Sequence, residues 1–255
     1  MANVTKYPLL VLVISFLLLW LSVRVGAALS SRHQNFGADV HEDFDVIQGA
    51  TLTLLGLIIG FSFSMAIGRY DQRKNYEEEE ANAIGTEYLR VDMLPAADAA
   101  KARTLLAAYL NQRVLFYQGH DAQRLKQIDA ETTRLEAELW SAVRAPAAAQ
   151  PTPVAALTVS GMNDVLNTQG YTLAAWRNRI PIAAWALMMA IAIFGNLMVG
   201  YGARSISARI KLQVVLPLVI AISFMLIADI DSPRGGLIRV SPVNLITLAE
   251  SLRQH

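Results

Sequence analysis

The stretch VIQGATLTLLGLIIGFSFSMAIG, residues 46–68, decides how this chain is built. It carries no charged residue over a length that, as a helix, spans the roughly 30 Å hydrocarbon core of a bilayer. A single segment in lipid satisfies its own backbone only as a helix, so the stretch reads as a transmembrane helix. Its exit is as informative as its interior. Gly68-Arg69-Tyr70-Asp71 leads into residues 73–89 without a proline, so the span is expected to leave the membrane as one long helix.

Three further apolar blocks share the chain. Tyr7 to Leu29 contains only Arg24, Ile180 to Ala203 contains no charge, and Leu212 to Ala228 is shorter and holds Pro217, which predicts a kink. All fall at or near the 17 to 25 residues that about one bilayer crossing needs. The first block also has the outline of a secretory signal, with Lys6 before it and Val25-Gly-Ala27 near its end. Its length and Arg24 favour a retained span. The expected organisation is therefore two spans in 1–68, a helical domain in 69–179, two spans in 180–230 and a terminal segment in 231–255.

The chain is 54% hydrophobic, above the range of a typical soluble domain. It has no cysteine, which removes disulfides, thiolate metal sites and cysteine nucleophiles. No HExxH, Walker or dinucleotide fingerprint occurs, and no nucleophile–base pair or metal cluster is visible. The expectation is a non-enzyme with no cofactor, no metal and no nucleic-acid partner.

Residues 69–179 carry 13 Lys/Arg and 14 Asp/Glu, so the segment belongs in water. Leu105, Leu106, Tyr109, Leu110, Val114 and Tyr117 recur at helical spacing, and Leu125, Ile128, Leu135, Leu139 and Val143 form a second stripe. Pro146, Pro151 and Pro153 mark a break, after which a third helix is expected to run from about Val154 toward span three and to continue into it. Basic residues at span ends favour the cytoplasm. With both termini inside, eight such residues (Lys6, Arg69, Arg73, Lys74, Arg177, Arg179, Arg234, Arg239) face inward and five (Arg24, Arg32, Arg204, Arg209, Lys211) outward. That balance places the charged insert and both termini in the cytoplasm.

Span two has a stripe of small residues: Gly49, Thr53, Gly56, Gly60, Ser64 and Gly68. Such a stripe either lets helices pack closely or lines a pore that Leu57 and Phe61 constrict. Other charges pull in opposite directions. Arg204, Arg209 and Lys211, expected in the loop between spans three and four, would attract anions or anchor headgroups. Glu77 to Glu80 would attract cations, or form a solvated helix face. Asp39, Glu42, Asp43 and Asp45 read as a solvated outer loop. Asp229 and Asp231 close span four, where Arg69 is a suitable partner for a structural clamp. Asn196 reads as glue between helices.

Leu57-Ile-Ile-Gly60-Phe61 followed by Arg69-Tyr70 resembles the second span of bestrophins, a family of pentameric chloride channels. Ile230-Asp231-Ser232-Pro233-Arg234-Gly235 resembles the turn that follows their last span. Gly60-Phe-Ser-Phe-Ser-Met65, Glu80-Ala-Asn-Ala-Ile-Gly-Thr86 and Ile227-Ala-Asp-Ile-Asp231 are similar to a bacterial bestrophin-like family, across nearly the whole chain. The resemblance implies a neck at Thr53, Leu57 and Phe61, with Gly56, Gly60 and Ser64 as small lining residues. Thr53 and Leu54 depart from the bestrophin pattern, which implies a wider or wetter neck. Arg234-Gly-Gly-Leu-Ile-Arg239 lacks the acidic ligands of the bestrophin calcium clasp, so no calcium gating is expected there.

The reading is an all-α integral membrane protein, bestrophin-like, with four transmembrane helices and a cytoplasmic helical domain inserted between spans two and three. It is expected in the bacterial inner membrane as a homo-oligomer, a pentamer by the resemblance, whose partners are itself, the lipid bilayer and inorganic ions. The leading function is an anion (chloride) channel lined by span two. A cation channel using Glu77 to Glu80, and a non-conducting scaffold that binds a partner through its cytoplasmic helices, are the alternatives.

Overall fold

The structure, a computed structural model, describes residues 7–30, 38–202 and 206–254, without the side chains of 38–42 and 206–212. Among these residues the chain is helical, with no strand. In order come α1 (Pro8–Ser30), α2 (Ala38–Arg90), a 3-10 turn (Val91–Met93), α3 (Ala96–Gln118), α4 (Ala122–Ala149), α5 (Pro153–Arg177), α6 (Ile182–Gly202), α7 (Ile206–Asp231) and α8 (Val243–Arg253). They form two compact units, Met1–Tyr70 with Arg179–Arg239, and Asp71–Asn178 with Val240–His255. Four stretches, in α1, α2, α6 and α7, are long and apolar enough to cross a membrane.

In the first unit, α1 and α6 meet backbone to backbone. A Cβ at Gly26 would collide with the Leu197 carbonyl, and one at Gly200 with the Val23 carbonyl. Lipid supplies no hydrophobic drive between helices, so close approach at small residues supplies the packing. Val11 and Leu19 of α1, Leu55 of α2, Met188 and Ala192 of α6, and Phe224 of α7 form the shared core. Ala66, Ile180, Ile227 and Ile230 form a second cluster. Ser15 and Ser22 return their hydroxyls to the carbonyls of Val11 and Leu18 on their own helix.

In the second unit, the helical stripes of the insert meet in one core. Leu106, Tyr109, Leu110 and Tyr117 of α3 are buried, as are Ile128, Leu135, Leu139 and Val143 of α4. Asp121 caps α4 by accepting from the Arg124 amide at 2.7 Å. Thr152 caps α5 by accepting from the Ala155 amide at 3.1 Å, with Pro153 in the first turn.

Several boundaries differ from the sequence expectation. The seamless exit of span two is present, but α2 begins at Ala38, so Asp39, Glu42, Asp43 and Asp45 lie in helix rather than in a loop. Likewise α7 begins at Ile206, so Arg209 and Lys211 lie on its first turns. The helix α4 runs through Pro146, whose ring is buried, and stops at Ala149. The helix before span three does not continue into it: α5 ends at Arg177 and α6 starts at Ile182. Pro181 has no N–H to donate and disfavours helix at Ile180. The freed Ile180 N–H instead donates to both carboxylate oxygens of Asp231, at 3.2 Å each. Through Pro217, α7 remains one helix.

Candidate functional site

The first unit buries one face of α2 and leaves the opposite face uncovered. Leu55, Ser62 and Ala66 are buried, while Thr53, Gly56, Leu57, Gly60, Phe61 and Ser64 are exposed. Leu57 and Phe61, the two bulky members, are 53% and 64% exposed. The glycines on this helix have room to spare: a Cβ at Gly49, Gly56, Gly60 or Gly68 would meet nothing within 4 Å. The span-two stripe is thus not what packs the helices of this chain together. That role falls to Gly26 and Gly200, and Gly195 lies against Leu52 and Thr51 of α2. In the sequence Gly26 stands only as part of a signal-like ending, and Gly200 lies in an apolar run without contrast.

The uncovered positions keep their helical spacing along the rest of α2. Thr53, Leu57, Gly60, Ser64 and Gly68 lead at steps of three or four into Asp71, Asn75, Glu78, Asn82, Thr86 and Leu89, and every one of them is exposed. At 3.6 residues per turn these positions share one face. That face is small or apolar at first, then polar and acidic, with the exposed Lys74 at its edge.

The acidic run divides between inside and outside. Glu78 and Glu79 are exposed, whereas Glu77 and Glu80 are buried. Glu80 forms an ion pair with Arg113, accepts from Tyr117 at 3.2 Å and accepts from Thr172 at 3.3 Å. Burial and the Glu80 carboxylate push the Tyr117 hydroxyl well above its ordinary range. Glu77 accepts from the Leu245 amide at 3.0 Å and from Asn244 Nδ2 at 2.7 Å, capping the N-terminus of α8. Two of the four carboxylates are therefore structural, because consecutive residues on a helix point in different directions.

At the end of span four, Arg69 Nη1 lies 3.2 Å from Asp231 Oδ1. Asp231 thereby ties α2 to the start of α6. Asp229 is turned elsewhere, accepting from the Leu237 and Ile238 amides at 2.7 and 2.8 Å and folding the segment after α7 back on itself. Asn196 donates to the Ala192 carbonyl of its own helix at 2.8 Å rather than across to a neighbour. Arg204 lies outside the described residues, as do the side chains of Arg209 and Lys211. No group of three or more potential metal ligands occurs among the described residues.

This geometry defines an all-helical integral membrane protein whose second span presents an uncovered, small-residue face. The family model for the Bestrophin-like domain matches residues 10–245, and the chain belongs to that family. No curated protein matches it. Its fold is that of solved bestrophin homologues. Two crystal structures of single-substitution variants of a bacterial bestrophin homologue from Klebsiella pneumoniae are similar to it, one with TM-score 0.68 at 13% identity and one with 0.66 at 12%; each covers 95% of this chain and 98% of the other. A crystal structure described as a membrane protein is similar at TM-score 0.67 and 13% identity, covering 95% of this chain and 97% of its own.

Proposed function

We propose that this chain is the subunit of a homo-oligomeric ion channel whose pore is lined by the uncovered face of α2. The observation that carries the reading is the exposure of Thr53, Leu57, Gly60, Phe61 and Ser64 together, with open space at Gly56 and Gly60. A face of glycines and hydroxyls is poorly suited to lipid, which favours bulky apolar side chains, and well suited to a wall shared between copies. Leu57 and Phe61 then form apolar rings that constrict the conduit and gate it by dewetting. Membership of the bestrophin-like family supports the channel class, and the bestrophin resemblance supports five subunits. The bacterial bestrophin-like resemblance supports the inner membrane, and the distribution of basic residues supports cytoplasmic termini.

On charge selectivity the exposed residues favour cations. The uncovered face carries Asp71 and Glu78, with Glu79 to one side and the single basic residue Lys74 to the other, so carboxylates outnumber it. Repeated around an axis, these carboxylates concentrate cations and repel anions. The anion expectation rested on Arg204, Arg209 and Lys211 and on the resemblance to chloride channels. Planar-bilayer recording under a KCl gradient tests both. A reversal potential near the potassium equilibrium value supports the acidic lining, and one near the chloride value overturns it. Silence at all voltages, together with a monomer or an oligomer sealed along its axis, favours the scaffold reading.

A further inference from the structure

Glu87, near the end of α2, has no part in the pore reading. Its side chain is 0% exposed, and neither carboxylate oxygen has a hydrogen-bond partner. It points into α5, where Oε2 occupies the space that a Cβ on Gly161 would fill. Arg90 Nη1 lies 2.6 Å from the same point. The two helices are joined there by Thr158 Oγ1, which donates to the Arg90 carbonyl at 3.3 Å. Met162 and Val165, which follow Gly161 on α5, are fully buried.

The charged groups that bear on Glu87 are Arg90 on α2 and Asp164 on α5. Asp92 of the following turn is paired with Arg103 of α3. An ionised carboxylate buried without hydrogen bonds is costly, and such a group takes up a proton instead. Burial pushes the Glu87 carboxyl up to about 8; Arg90 draws it down in part and Asp164 adds to the rise.

We propose that Glu87 is a proton-operated latch: neutral, its carboxyl rests in the Gly161 notch and holds the end of α2 against α5, and ionised, it leaves the notch and frees that end. The proton passes to bulk solvent when the latch opens. Gly161 is needed because any side chain there would take the space of the carboxyl. The adjoining Thr86 and Leu89 are exposed on the uncovered face of α2, so opening displaces part of the proposed conduit wall. That last link rests on the channel reading; the latch itself does not.

Hydrogen–deuterium exchange on the full chain in detergent, between about pH 6 and 9 and corrected for intrinsic exchange chemistry, reads the latch directly. Peptides covering 84–93 and 155–165 are expected to lose protection as pH rises through about 8. Glu87→Gln is expected to keep them protected throughout, and Gly161→Ala to expose them throughout. A wild-type profile without a step, or the same step in Glu87→Gln, overturns the latch. Should Glu87→Gln fail to fold, infrared difference spectra of the wild type serve instead: a protonated-carboxyl band lost on raising the pH through about 8 is expected, and its absence overturns the proposal. Current recorded alongside separates the two readings. No current at any pH with the exchange step intact overturns the channel reading and supports the latch, whereas pH-independent current with no step overturns the latch alone.

Discussion

Gly200 on α6 and Val23 on α1 meet so closely that a Cβ on Gly200 would stand 2.8 Å from the Val23 carbonyl carbon. Gly26 repeats the arrangement in reverse, with the Leu197 carbonyl carbon and the Tyr201 amide nitrogen each 2.9 Å from its Cβ position. Because the obstacles are backbone, neither site can yield by a rotamer change. Gly200→Ala and Gly26→Ala are expected to cost about 1–3 kcal/mol each by overpacking. Gly56→Ala, in open space on a helix, is expected to be neutral or to stabilise slightly. Melting temperatures of the detergent-solubilised chain check the ranking, and equal losses at all three sites would contradict this packing.

The buried pair of Arg113 and Glu80 gives a second ranking. Arg113→Met leaves Glu80 without its counter-charge in the core, a change that costs roughly 3–5 kcal/mol for such pairs. Tyr117→Phe removes one hydrogen bond to the same carboxylate and is expected to cost about 1 kcal/mol. Denaturant titration followed by circular dichroism reads both.

Leu57→Ala and Phe61→Ala separate pore from core. Both side chains lie outside the packing of the chain that carries them, so thermal stability is expected to change by no more than about 0.5 kcal/mol. Single-channel conductance is expected to rise, since each substitution widens an apolar ring. Unchanged conductance in the double variant would remove these residues from the constriction.

Stability also carries a pH signature from Glu87. Its carboxyl titrates at about 8 in the folded chain against an ordinary 4.5, so between those values the folded state binds the proton that the unfolded state has lost. Stability therefore falls as pH rises from about 4.5 to about 8 and then levels off. The difference between wild-type and Glu87→Gln melting temperatures, plotted against pH, isolates this contribution. A flat difference curve would rule out the raised value.

The carboxylates after span four are expected to work without calcium. Asp231 is held by Arg69 and the Ile180 amide, and Asp229 by the amides of Leu237 and Ile238. Calcium chelation is expected to leave both current and melting temperature unchanged. Asp231→Asn, by contrast, is expected to lower the melting temperature, because Arg69 loses its charged partner.

Legibility in the sequence followed the range of the interactions. The four spans, the unbroken run of α2 from residue 46 to 90 and the buried stripes of α3 and α4 were all readable, because apolar length and helical period are local properties. Thr53, Leu57 and Phe61 were readable as neighbours along one helix. The break before α6 was missed, although Ile180-Pro181 carried its signal. The directions of Glu77 and Glu80 were not readable, since four consecutive carboxylates carry no mark of which ones meet Arg113 or cap α8.

By itself, then, the sequence determined that this chain is a membrane-spanning helical protein with a charged helical insert, because transfer of apolar and charged side chains between water and lipid depends on composition over one helix length. Only the tertiary structure decided which glycines pack and which stand open, which carboxylates are structural, and that Glu87 is sealed against Gly161. Those outcomes depend on residues tens of positions apart meeting within a few ångströms, and neither partner records the meeting in its own neighbourhood of sequence.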